Sequence, residues 1–332
     1  MATTSPRPDR RAAVVDGRMA HEVRESLGGD PPSLPSKYFY DETGMRLFEQ
    51  ITTLPEYYLT RTEQALLEQE ADGIVDRVRP HELVEIGSGA SPKLRLLLDA
   101  MQRAALLRSC TLLDINAGAL QRAAHALAAL YPGLQTRRVV ADFQEGFGGL
   151  GPGGDRLLCF LGSTLGNFHP SQVPGFLRNM RAQLLPGDGL LLGLDLVKDV
   201  GRLEAAYNDA AGVTARFNLN LLQVMNDRLE ADFDLEAFEH VAFFDEEHAW
   251  IEMRVRARRA TRARVPAAQL EMTLDAGDFI RTELSCKFTR ASLERQLRGT
   301  GLRLDAWLTD AESLFALALL RPSSLSGCWP LT

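Results

Sequence analysis

Several short apolar runs in this 332-residue chain end in glycine, acidic or small polar residues. The first carries Glu82-Leu83-Val84-Glu85-Ile86 into Gly87-Ser88-Gly89, where glycines let the backbone turn sharply and let a ligand lie against main-chain N–H groups. A dinucleotide fingerprint wants a third glycine where this chain has Pro92, so the pattern is broken and an adenosyl ligand without a pyrophosphate is favoured. Asp114 follows Thr111-Leu112-Leu113 at a distance from the glycines suited to an acid that accepts from ribose hydroxyls. Asp142 and Phe143 end a third run, the carboxylate able to bond an adenine amino group while the phenyl ring covers the base. A fourth ends in the polar, glycine-bounded turn Gly162-Ser163-Thr164-Leu165-Gly166-Asn167. Read singly, each acid also serves as a helix cap or a solvated loop residue. Agreeing at four strand ends, they suit S-adenosylmethionine better than NAD.

A second cluster is aromatic. Four of the six tyrosines, Tyr38, Tyr40, Tyr57 and Tyr58, fall between residues 34 and 63. Clustered phenols offer hydrogen bonds and π faces that hold a cationic or methylated amine, and they also suit a small aromatic core.

The elements that must position these groups follow a strand-then-helix rhythm. Strands are predicted at 82–87, 110–115, 136–141, 156–162 and 189–196, with helices at 91–105, 117–130 and 171–184 between them. This is the pattern of an α/β fold with a doubly wound, Rossmann-like parallel sheet. Segments 303–309 and 314–321 would add an antiparallel hairpin at one edge. Thr60-Arg61-Thr62-Glu63 has capping-box form ahead of a helix whose apolar positions run from Leu66 to Val78. Residues 20–59 and 197–285 fall outside the rhythm and are expected to join into a substrate-binding domain. The binding core would then be 60–196 with 286–321, preceded by a disordered lead-in over 1–19 and followed by a tail at 322–332.

A net charge of −7 without a basic block argues against nucleic acid as a partner. The locally basic stretch Arg254 to Arg264 alternates with apolar residues and reads as one solvent face of a strand. No apolar run reaches the length that crosses a bilayer, and the first residues lack the apolar region of a secretion signal, so a cytoplasmic protein is expected. Cys110, Cys159, Cys286 and Cys328 lie far apart, which suggests reduced thiols and no metal site.

The segments Lys37-Tyr38-Phe39-Tyr40-Asp41, Leu54-Pro55-Glu56-Tyr57-Tyr58, Glu85-Ile86-Gly87-Ser88-Gly89, Phe160 to Asn167, Asp195-Leu196-Val197-Lys198-Asp199, Ala206 to Thr214, Ala231-Asp232-Phe233-Asp234 and Thr282 to Phe288 together resemble one family. It is the bacterial histidine Nα-methyltransferases of ergothioneine biosynthesis, and the resemblance runs in order from about residue 20 to 321. It implies a class I methyltransferase core, a separate histidine-binding domain, S-adenosylmethionine as donor and the trimethylated betaine hercynine as product. Carried over position by position, Gly87, Lys93, Asp114, Asp142 and Phe143 would hold the donor. Asn167 and Tyr207 would bind the amino-acid end of the substrate, Glu283 and Ser285 its imidazole, with Met253 packed beside it and Gly162 a further substrate-binding residue. Tyr40, Phe48 and Tyr57 would line the amine pocket, the two tyrosines as the catalytic pair. Glu283 and Ser285 are two apart on an alternating strand and so share a face. Ala90, Met45, Leu59 and Asn208 depart from the family pattern, and none of them is one of these ligands. The expected partner is L-histidine alone, on a monomeric chain. Left open are another amino acid or a histidine derivative as acceptor, an NAD-dependent oxidoreductase, and a binding protein without activity.

Overall fold

The computed structural model describes residues 10–87, 92–147, 149–151 and 153–323. Helices α1 (Arg10–Leu27) and α2 (Glu42–Thr53) open the chain. Then come α3 (Leu59–Val78), β1 (Glu82–Ile86), α4 (Pro92–Arg103), β2 (Ser109–Asp114), α5 (Ala117–Leu130), β3 (Gln135–Val140), β4 (Arg156–Phe160), α6 (Val173–Arg181) and β5 (Gly189–Asp195). An inserted stretch holds α7 (Val200–Ala205), α8 (Val213–Leu229), β6 (Phe238–Asp245), β7 (Trp250–Ala257), β8 (Thr261–Val265), β9 (Leu270–Leu274) and β10 (Phe279–Cys286). The chain closes with α9 (Arg290–Leu297), β11 (Leu302–Thr309) and β12 (Phe315–Pro322).

The described residues separate into two compact units, one within Met1–Tyr58 and Asp199–Ser285, the other within Leu59–Lys198 and Cys286–Thr332. The second unit holds a seven-stranded sheet in the order β11-β12-β5-β4-β1-β2-β3. Its inner strands pair in parallel, and β12 runs antiparallel to both β5 and β11. Every residue of β5 is buried, as a strand covered on both faces requires, whereas the edge strand β3 exposes Arg138 and Val140. The strand order reverses between β1 and β4, which places a crevice for a ligand at their carboxyl ends. α3 lays Leu66, Leu67, Ala71, Ile74, Val75 and Val78 into the core under that sheet, and the Asn116 side chain caps α5 by accepting from the Ala119 N–H at 2.9 Å.

In the first unit a sheet ordered β10-β7-β6 packs against α8, whose buried face includes Phe217, Asn218, Leu221 and Met225. Residues 32–34 lie alongside β10, with Leu34 N–H donating to the Arg281 carbonyl and Arg281 N–H to the Pro32 carbonyl, each at 2.9 Å. The tyrosine-rich segment is thereby anchored two residues from Glu283.

Two expectations need correction. The lead-in expected to be disordered over 1–19 gives way to helix from Arg10, because Met19, Val23 and Leu27 recur at helical spacing and are buried on one side of α1. The basic stretch Arg254 to Arg264 spans the end of β7, a turn and β8, so its arginines sit on two strands rather than on one face. Among the described residues no helix is long and apolar enough to cross a membrane.

Candidate functional site

Four of the predicted strand-end groups stand together at the carboxyl edge of the seven-stranded sheet. Gly87, just past β1, has φ +75°, and its N–H donates to the Leu113 carbonyl of β2 at 2.9 Å. A side chain there would meet Phe143, whose ring edge lies 3.7 Å from where a Cβ would stand. Phe143 itself leans on Phe160 with ring centroids 5.3 Å apart, which fixes the ring beside the glycine. Asp114 ends β2 next to that turn, and Asp142 follows β3, where its carboxylate accepts from the Gln144 N–H at 2.9 Å. This cradle, turned at Gly87 by a positive φ that favours glycine, fits an adenosyl group: an acid for the ribose, an acid for the adenine amine, a ring for the base. Ser88, Gly89, Ala90 and Ser91, the rest of the glycine turn, lie outside the described residues.

Asp114 does more than accept. Burial pushes its carboxyl up to about 6, against the opposing pull of the Asn116 and Ile115 N–H groups. A protonated carboxyl loses an acceptor for ribose hydroxyls, so donor affinity is expected to fall as pH drops through about 6. Titration calorimetry of S-adenosylhomocysteine across that range would read it, and Asp114→Asn should flatten the profile. Because the folded pKa is raised, this group favours folding at low pH and opposes it above about 6, so stability and affinity move in opposite directions.

Glu63 was missed as a site residue. The capping-box spacing suggested a helix end, yet the carboxylate is 1% exposed and reaches across the unit. It accepts the Gly162 N–H at 2.7 Å and pairs with the Lys93 ammonium, itself almost fully buried. Gly162 (φ +73°) and Ser163 (φ 57°) are successive left-handed residues, and the Ser163 hydroxyl accepts from the Asp195 N–H at 2.9 Å. One carboxylate thus ties α3, α4 and the turn after β4 together. No local motif marks it, since its partners lie 30 and 99 residues away. Gly193 of β5 makes room for it: a Cβ there would stand 2.0 Å from the Glu63 Oε1 and 3.3 Å from the Gly162 nitrogen. Gly193→Ala is therefore expected to cost about 1–3 kcal/mol by displacing that carboxylate, measured by denaturant unfolding.

Asn167 closes the same turn, followed by Phe168. Gly166 beside it packs on the Cys286 backbone, where a Cβ would be 2.7 Å from the carbonyl oxygen. Gly162 and Asn167 therefore stand on the unit of the donor cradle, and the other predicted substrate residues stand on the first unit.

There the aromatic residues form a connected chain. Tyr40 meets Phe48 edge-on at 5.6 Å, Phe48 meets Tyr57 at 6.3 Å, and Tyr57 meets Tyr207 at 6.4 Å between ring centroids. Phe217 of α8, which sequence reasoning did not single out, packs on both Tyr40 and Phe48. The chain ends at a polar group, for the Tyr207 hydroxyl shares a hydrogen bond of 2.8 Å with Ser285 Oγ. Glu283 and Ser285 lie on β10, and Met253 is buried on β7, its neighbour in the sheet. Tyr38 is used differently: its hydroxyl donates to Glu22 of α1 at 2.6 Å, beside the Lys37–Glu22 ion pair.

Comparison with known proteins adds an independent line. A family profile described as "Histidine-specific methyltransferase, SAM-dependent" matches residues 19–322. A histidine N-alpha-methyltransferase of Mycolicibacterium smegmatis is 49% identical over 301 residues, covering 91% of this chain and 94% of that protein. One from Mycobacterium tuberculosis is 44% identical over 301 residues with the same coverage. Ergothioneine biosynthesis protein 1 of Neurospora crassa is 30% identical over 332 residues, covering 96% of this chain and 36% of that longer protein. A solved S-adenosylmethionine-dependent methyltransferase from Clostridium acetobutylicum aligns with 84% of this chain and 99% of its own at a TM-score of 0.48 and 9% identity. With the profile spanning residues 19–322 and two relatives matched over 91% of the chain, the chain belongs to the histidine-specific, S-adenosylmethionine-dependent methyltransferase family.

Proposed function

We propose that this enzyme methylates the α-amine of L-histidine three times, giving hercynine for ergothioneine biosynthesis. The observation that carries the reading is the aromatic chain that ends in the Tyr207–Ser285 hydrogen bond, because it joins a surface for a methylated cation to polar groups for an amino acid. S-adenosylmethionine, when bound, supplies an electrophilic methyl group on sulfur. Gly87, Lys93, Asp114, Asp142 and Phe143 would hold it, in keeping with the cradle around Gly87.

The protein's remaining task is alignment of the amine, with little covalent help. The α-ammonium of a free amino acid is a weak acid, so in each round the nucleophile is reached only after the bound amine loses one proton. Tyr57 is nearly buried and orients the lone pair, while Tyr40, 41% exposed, passes the proton to water. A phenol near pKa ~10 is a poor resting base, so both tyrosines relay the proton rather than keep it. Each methyl added removes a hydrogen-bond donor from the substrate. Rings tolerate that loss and attract the cation that forms, which lets one pocket serve three rounds. Glu283 and Ser285 hold the two imidazole nitrogens, Met253 packs beside the ring, and Tyr207 holds the amino-acid end.

The enzyme is proposed to act as a monomer, and the free, buried Cys110, Cys159 and Cys286 suit the cytoplasm. The test is incubation of the protein and S-adenosylmethionine with a panel of amino acids, counting methyl groups by mass. Histidine should gain three and the others none. A different preferred acceptor would overturn the reading of the imidazole site.

A further inference from the structure

We propose that His240 and Asn218 form a buried latch that positions Tyr207 for the amino-acid end of the substrate, an inference that rests on the reading of Tyr207 as a substrate ligand. Asn218, fully buried on α8, places its amide nitrogen 2.9 Å from the Arg254 carbonyl and 2.8 Å from Nδ1 of His240. A carbonyl only accepts, so the amide must turn its NH₂ toward both partners. Nδ1 of His240 is then an acceptor, and the ring proton sits on Nε2, which donates to the Tyr207 carbonyl at 2.9 Å. One tautomer of a neutral imidazole satisfies the arrangement. Burial favours the same state by pulling the His240 pKa below its ordinary value, with the Tyr207 carbonyl and Asp209 opposing.

The latch reaches the site through one residue. Its N–H donates to Glu204 at 3.1 Å, its carbonyl takes His240, its ring meets Tyr57, and its hydroxyl meets Ser285. The side chain that joins the aromatic chain to the polar end is thereby held at its backbone by β6 and α8. A purely stabilising role is a poor account of Asn218, because its Oδ1 is buried with no hydrogen-bond partner among the described residues. The charged groups on the elements packed around His240 are already engaged. Asp209 accepts from the Val213 and Thr214 N–H groups, Glu204 from the Phe244 N–H, Glu252 pairs with Arg254, and Glu239 with Arg256. Protonating His240 would set a donor against the Asn218 NH₂ and release the latch.

The test is steady-state kinetics with His240→Leu, His240→Gln and Tyr207→Phe. His240→Leu should raise the histidine KM about tenfold while leaving the donor KM near wild type, and His240→Gln, which restores an N–H donor, should return it to within about threefold. The ratio of histidine KM in His240→Gln to wild type should stay level near neutral pH and fall only below the ordinary imidazole range, where the wild-type ring takes a proton, because only the wild type loses its latch and the substrate's own titration cancels. A histidine KM unchanged in His240→Leu overturns the proposal. Should that variant fail to fold, a KM ratio in His240→Gln that stays flat down through the pH at which the wild-type His240 ring is seen by NMR to protonate overturns it instead. A Tyr207→Phe enzyme with unchanged histidine KM would refute the underlying role of Tyr207, whereas a raised KM there with none in His240→Leu refutes the latch alone.

Discussion

Glu283→Ala is expected to weaken histidine binding by about 10²-fold or more while leaving binding of S-adenosylhomocysteine intact. The residue lies on β10, sharing a face with Ser285, and the two are the only proposed groups that address the imidazole. Removing a carboxylate that accepts from a ring N–H costs more than one neutral hydrogen bond, because the partner is left desolvated. Calorimetry with histidine in the presence of S-adenosylhomocysteine measures it. Glu283→Gln should fall between, since an amide oxygen still accepts from one ring nitrogen but carries no charge. Unchanged affinity in Glu283→Ala would remove the assigned role and with it the explanation of selectivity for histidine.

The second large effect is expected from Glu63→Ala. That change removes the carboxylate that pairs with the buried Lys93 ammonium and accepts the Gly162 N–H. Breaking one side of a buried ion pair costs about 3–5 kcal/mol, which denaturant unfolding would report. Donor affinity should fall as well, because Lys93 and the Gly162 turn lose the group that joins them. A double variant, Glu63→Leu with Lys93→Met, separates the two consequences. Removing both charges should recover about half or more of the stability, since apolar replacements of a buried pair are often near neutral. Donor affinity should stay low. Recovery of both would mean that Glu63 stabilises the fold and nothing more.

The seven-stranded unit was legible because parallel strands covered on both faces read as unbroken apolar runs. All of β5 is buried, and its limits lie within a residue of the predicted ones. The hairpin of β11 and β12 was legible for a related reason, two short apolar segments separated by a polar turn. α1 was hidden because the large apolar residues of its buried face, Met19, Val23 and Leu27, are set among polar and charged neighbours such as Arg18, His21, Glu22 and Arg24. Long-range polar contacts were illegible. Glu63 satisfies a local spacing rule and spends its carboxylate elsewhere, and the Tyr207–Ser285 bond joins residues 78 positions apart. Asn218 and His240 follow the same logic, since nothing in an apolar helix face tells a buried amide where its partners will come from.

The most direct test of the account is tandem mass spectrometry of the product made from histidine and S-adenosylmethionine, which assigns each methyl to a nitrogen. The account predicts three methyl groups on the α-nitrogen and none on the ring, because the proposed role of Glu283 and Ser285 is to hold the imidazole away from the reacting amine. A methyl group on an imidazole nitrogen would contradict it, since the ring would then have occupied the position assigned to the amine.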